Sequence, residues 1–212
     1  MIIYSCIDRI EYETLMEKGF LECAPKLTEM PSESVEFAIA YKYMADKLRA
    51  RYRSNLSYPR WGWVQYEGKS VTEQPDVFFA NAPYIKSYLL KLNINECLLS
   101  DFDAWHSCLN LFPLCYSEDE FTEFEYWLDT AKLKYWDVFF KDNVYTHALR
   151  DKIIGTWDRI FDIYAENDYA LYPNDYKSIQ AVFWQIRKDN ILDVKEIYVD
   201  EEAYHDYHRC LM

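Results

Sequence analysis

An α+β fold is predicted, with a mixed or mainly antiparallel sheet and amphipathic helices packed against it. Three observations predict it. Strand-like apolar runs stand near both ends of the chain, IIYSCI at 2–7 and SIQAVFWQI at 178–186. Between them, several stretches repeat apolar residues at the three-and-four spacing of a helix. Strands and helices do not alternate strictly, which disfavours a parallel βαβ design.

In chain order, 2–7 is the first strand. A helix over 10–18 follows, with Ile10, Leu15 and Met16 roughly on one side and Gly19 placed as its C-terminal cap. The spacing of Phe37, Tyr41, Met44, Leu48 and Tyr52 predicts a long amphipathic helix over 34–53. WGWVQY at 61–66 alternates like a strand. So does 87–94, with Tyr88, Leu90, Leu92 and Ile94 on one face. CLLS is a short extended piece before a helix that starts near 101. A helix over 118–140 follows from Phe121, Phe124, Leu128, Ala131, Tyr135 and Val138. Another follows from Ile153, Trp157, Ile160, Phe161 and Tyr164, with Gly155 as its interruption or start. The run 178–186 is apolar on both faces, as a central buried strand would be, and 195–199 is a further strand.

The composition sets bounds. Half of the 212 residues are apolar and 18% are aromatic, enough to fill one core. With four glycines and seven prolines, nothing resembles a linker, so 1–212 is expected to be one domain. The net charge of −13 argues against direct nucleic-acid binding and against an anionic membrane. No leader or spanning segment is visible, so a cytoplasmic protein with free, mostly buried thiols is expected. One basic cluster exists, KLRARYRSNLSYPR at 47–60. It reads either as cations complementing a helix end or as an anion site.

The densest polar group is LLSDFDAWHSCLN at 98–110. Ser100 and Asp103 match a capping box, with Asp101 and Asp103 in the first helical turn. Phe102, Trp105 and Leu109 form an apolar stripe. His106 falls at the stripe's edge, three residues from Asp103. That pair reads as a general base with its orienting carboxylate, or as a boundary histidine bonded to its neighbour. In the 178–186 strand, Gln180 and Gln185 are amides that need partners when buried. Gln180 is the better candidate to face a pocket, and Gln185, at the strand end, to join a polar network. Trp61 and Trp63 share one side of their strand, as ligand-stacking rings or as core. HDYHRC at 205–210 offers His205, His208 and Cys210, but three such residues near a chain end do not make a metal site, and none is expected.

Taken together, the first strand and helix to Gly19, the WGW strand, LLSDFDAWH, WDRIF at 157–161 and IQAVFWQI resemble an uncharacterised bacterial domain family. That resemblance carries no activity. The ends are also similar to ADP-ribosyltransferase-like domains: IIYSCIDRIEYETLMEKGFL to their opening strand, helix and glycine, and IQAVFWQI to a late strand bearing a catalytic glutamate. The resemblance implies a nucleotide or NAD site. It departs at two points. Tyr4 stands in a first strand that lacks the arginine or histidine those enzymes use on NAD, and residues 178 to 186 contain no acid. A glutamine supplies no negative charge to an oxocarbenium ion, so that role would pass to residues such as Asp103 and His106.

Two readings follow. In the first, the chain is an enzyme or degenerate enzyme for a nucleotide-like ligand, NAD included. Its pocket is lined by Tyr4, Trp63, Asp103, His106, Gln180 and Trp184, with Trp61 and Trp105 as further aromatic contacts. In the second, it is a non-catalytic interaction protein whose acidic surface binds a basic partner or mimics nucleic acid.

Overall fold

The computed structural model describes residues 1–23, 35–71, 86–165 and 173–198. Strand β1 (Ile2–Asp8) runs straight into helix α1 (Arg9–Lys18), and Asp8 makes the transition. Its carboxylate accepts from the Glu11 N–H at 2.7 Å, while Glu11 reaches back to the Asp8 N–H. This reciprocal capping satisfies donors that a helix start leaves open. Gly19 ends the helix in the left-handed region, as the sequence predicts. Strand β2 (Phe20–Glu22) follows, then helix α2 (Val35–Arg51), strands β3 (Arg60–Tyr66), β4 (Lys69–Ser70), β5 (Lys86–Asn93) and β6 (Leu98–Asp101), and helix α3 (Phe102–Leu109). Helices α4 (Glu118–Ala131), α5 (Asp137–Phe140) and α6 (Val144–Thr156) lead to a 3-10 turn, Trp157–Phe161. Strands β7 (Ile179–Phe183), β8 (Gln185–Arg187) and β9 (Ile191–Tyr198) complete the described chain.

The fold is α+β. The main sheet runs β6-β7-β3-β1-β5-β9, with β4 beside β3, and its pairings are antiparallel. A small second sheet pairs β2 with β8. On one face of the main sheet, Ile3, Ile7, Leu90, Leu92 and Phe183 pack with Leu15 of α1. Tyr88 and Ile94 belong to the same cluster, so β5 presents the face that its alternation predicts. On the other face, Val182 and Trp61 meet the helices in a larger core that includes Met44, Leu48, Trp105 and Trp157. Every residue of β7 is buried, which matches its apolar sequence.

Three expected elements differ. The helix predicted over 118–140 is broken: Lys132 takes a left-handed conformation (φ 51°) and caps α4. The apolar spacing continues through the break because both halves bury against one core. Phe124 and Leu128 do so before it, and fully buried Val138 after it. Gly155 neither starts nor interrupts α6 but lies in its last turn. The run 178–186 is not one strand. It bends at Trp184 and its end, β8, leaves for the second sheet. The HDYHRC segment at 205–210 lies outside the described residues.

Candidate functional site

The candidate site forms at the start of β7, where two turns clamp the segment 174–178. One clamp is the β3–β4 hairpin. Its turn residues Glu67 and Gly68 have φ of 46° and 77°, the left-handed pair that suits a two-residue hairpin loop. The Gly68 N–H donates to the Lys177 carbonyl at 2.9 Å, and the Glu67 N–H donates to Ser178 Oγ at 3.1 Å. Gln65 Nε2 adds a bond to the Lys177 carbonyl at 2.9 Å. The second clamp is the start of α3, where the Phe102 N–H donates to the Ser178 carbonyl at 2.9 Å.

The cap of α3 is Asp101, not Ser100. Its Oδ1 accepts from the Asp103 and Ala104 N–H groups, each at 3.0 Å. Ser100 still belongs to β6, opposite Gln180 of β7, so the helix begins one residue later than the Ser-x-x-Asp pattern suggests. The other Asp101 oxygen lies 3.7 Å from Lys177 Nζ, and both side chains are 1% exposed. Lys177 also donates to the carbonyls of Ala165 (2.6 Å) and Ile163 (3.3 Å). This buried cation ties α3, the segment that follows the 3-10 turn and the start of β7 together. Nothing in the sequence singles it out, because a lysine in DYKS looks like any surface lysine.

Above these clamps lies a cleft of about 270 Å³, lined by Tyr66, Glu67, Phe102, Asp103, Tyr176 and Ser178. Burial, and then the charge of Asp101, hold the Asp103 carboxyl above its ordinary range. A bond from the Ser178 backbone opposes the shift only in part. Folding therefore favours the protonated acid, and the stability linked to it falls as pH rises from the unfolded carboxylate pKa through the higher folded one. Asp103→Asn removes this penalty. The Tm difference between variant and wild type should thus shift in the variant's favour between pH 3 and pH 7 in calorimetry. A pH-independent difference would argue against a desolvated Asp103.

The remaining predicted residues divide. Tyr4, Trp63 and Gln180 are successive cross-strand partners on one row of the sheet, which continues to Ser100. Trp63 reaches the cleft's wall, its ring 4.9 Å from that of Phe102. Gln180 is buried instead of lining the cleft, and no described residue hydrogen-bonds its amide. His106 faces solvent. Its Nδ1 bonds the Phe102 carbonyl at 3.0 Å, one turn back, so Asp103 does not orient it. Trp61 and Trp105 are core rings, 5.2 Å apart and each edge-on to Tyr41. Trp184 lies at the far end of β7 and donates to the Tyr52 carbonyl at 2.9 Å. There it lines a second cleft with Gln185, about 360 Å³ in volume. The single pocket expected from the sequence is therefore two clefts. Six residue steps separate Ser178 from Trp184, about 20 Å along a strand. Between them, α2 and α3 cover the face that Val182 presents.

Among the described residues, no group of three or more His, Cys, Asp or Glu side chains converges as a metal site. Cys6, Cys23, Cys97, Cys108 and Cys115 are not in disulfides, and each thiol is pushed up in pKa mainly by burial. None is thus poised as a thiolate nucleophile. No helix among the described residues is long and apolar enough to cross a membrane.

Fold and clefts together define an α+β domain with an acidic, aromatic-walled cleft at one end of its most buried strand. The chain belongs to the family described as a domain of unknown function, DUF3841, whose model matches residues 2–192. No curated protein and no solved structure matches it.

Proposed function

We propose that the Asp103 cleft binds a nucleotide-like ligand through a flat ring bearing positive charge, of which the nicotinamide end of NAD+ is the model. The observation that carries this reading is the pairing of two carboxylates, Asp103 and Glu67, with the rings of Tyr66, Phe102 and Tyr176 around one cleft. Neither acid forms an ion pair with a described residue. Aromatic faces attract cations, and a partly desolvated carboxylate gains most from a positive neighbour. If the ligand's N-glycosidic bond breaks, positive charge moves onto the sugar. Asp103 would then supply the negative charge that neither glutamine of 178–186 can. Fluorescence titration of wild type and Asp103→Asn with NAD+ and NADH tests the reading. The oxidised, cationic form should bind more tightly to wild type, and the preference should vanish in the variant. Equal binding of both forms to wild type would remove the proposal. Chromatographic detection of released nicotinamide separates an enzyme from a binding domain.

A second reading, an acidic surface for a basic partner, is favoured by α4. It carries Glu118, Asp119, Glu120, Glu123, Glu125 and Asp129 with no basic residue. It also exposes Tyr126 and Trp127. A polylysine probe should be retained at low salt, and Glu123→Lys with Glu125→Lys should release it. Retention unchanged by that double variant would count against α4.

A further inference from the structure

The cleft at the opposite end of β7 differs in charge from the Asp103 cleft. It is lined by Arg53, Ser54, Leu56, Ile94, Asn95, Glu96, Trp184, Gln185, Arg187 and Asn190. Most other arginines of the described chain are occupied. Arg60 grips Glu11 with both terminal nitrogens at 3.0 Å, Arg159 holds Glu120, and Arg49 holds Asp46. Arg150 donates to the carbonyls of Val138 and Phe139. Arg53 and Arg187, by contrast, form no ion pair with a described residue, although the chain carries a net charge of −13. Arg49 and Arg51 lie in the last turn of α2, where they complement its carbonyl end. Arg53 lies beyond that turn and at the cleft.

The neutral lining adds hydrogen-bond capacity. Ser54 Oγ accepts from the Leu56 N–H, which leaves its own hydrogen to donate. The Gln185 amide has no described partner, and β8 holds its backbone against Glu22 of β2. Asn190 serves as a scaffold: its Oδ1 accepts from the Arg187 N–H at 2.9 Å and its Nδ2 donates to the Asn93 carbonyl at 3.1 Å. It thereby fixes the backbone that carries Arg187. Trp184 is fixed too, through its Nε1 and through Arg49, whose guanidinium lies 5.4 Å from the indole. Glu96 is the cleft's one acidic group and can only accept when ionised.

We propose that this cleft is a binding site for a phosphorylated small molecule carrying free hydroxyls, a sugar phosphate or a nucleotide. Arg53 and Arg187 take the phosphoryl oxygens, Gln185 and Ser54 donate to the same group, and Glu96 accepts from a hydroxyl. Two guanidinium forks match the geometry of a phosphoryl group, and planar bidentate bonds to it are among the stronger polar contacts. The site is independent of the Asp103 cleft, so either proposal can fail alone.

The test is a titration at constant ionic strength, followed by tryptophan fluorescence and thermal shift. The probes are inorganic phosphate, glucose 6-phosphate and AMP, with glucose and adenosine as uncharged controls. Wild type should bind at least one phosphorylated probe, and neither uncharged control, with a Kd below about 10 mM. Arg53→Gln and Arg187→Gln should each weaken that binding about tenfold or more, whereas Arg51→Gln, outside the cleft, should not. Glu96→Gln should weaken glucose 6-phosphate or AMP while sparing inorganic phosphate. Binding of no phosphorylated probe, or binding that survives Arg53→Gln combined with Arg187→Gln, would overturn the proposal.

Discussion

Lys177→Met should destabilise the protein by about 3–5 kcal/mol, the usual loss when one partner of a buried ion pair is removed. Methionine fills nearly the same volume, so packing alone does not account for such a loss. What disappears is the cation beside Asp101, together with the donor to the Ala165 and Ile163 carbonyls. Asp101, 1% exposed and with one oxygen that already lacks a hydrogen bond, then also loses the charge beside it. Adding Asp101→Asn should recover part of the loss, because asparagine still caps α3 but carries no charge. Urea unfolding of both variants checks this. A single variant with the wild-type midpoint, or a double variant no better than the single one, would show that the pair does not hold this corner together.

Gly68→Ala should be the most damaging small substitution. An added Cβ would stand 1.6 Å from the Asp175 carbonyl oxygen and 2.3 Å from its carbon. Backbone must move, since no side chain can step aside. The left-handed conformation alone costs a non-glycine residue roughly 1–2 kcal/mol. The displacement of 174–178 adds to that and should open the Asp103 cleft. Gly19→Ala is the natural comparison. It shares a positive φ, but nothing lies within 4 Å of its new methyl group, so only the conformational cost applies. Amide exchange should separate the two. In Gly68→Ala the N–H groups of Glu67 and Phe102, both bonded to Ser178, should exchange faster together. In Gly19→Ala they should not. Protection unchanged in Gly68→Ala would mean that the two clamps are not coupled.

Local rules read well in this sequence. The Gly19 cap, the single face of β5 and the full burial of β7 all follow from spacing and residue type over a few positions. What spacing cannot show is where an element stops when two neighbours share a core. The apolar repeat of α4 therefore continues past its end at Ala131 to Val138. The candidate site was legible in part. Asp103 does face a cleft, and Trp63 stands behind its wall, because both belong to runs whose period fixes their direction. His106 was misplaced because the imidazole finds a carbonyl one turn back more easily than a carboxylate three residues away. Glu67, Tyr176 and Lys177 went unseen. They meet Asp103 or Asp101 only through pairings between segments distant in sequence, and each sits in a polar stretch with no period. Gln185 lines a cleft because the bend at Trp184 ends the alternation of 178–186, whereas Gln180, before the bend, is buried within β7.

The bend at Trp184 and the clamp at Ser178 leave β7 with a sealed middle and two open ends. That division sets how freely each part of the chain can vary. A change in Ile179–Phe183 disturbs packing on both faces of the sheet at once, so few substitutions there will be tolerated. A change in the 67–68 turn's neighbours alters one cleft, and a change near Asn95 or Arg187 alters the other. The shapes of the two clefts can therefore change separately on one unchanging strand.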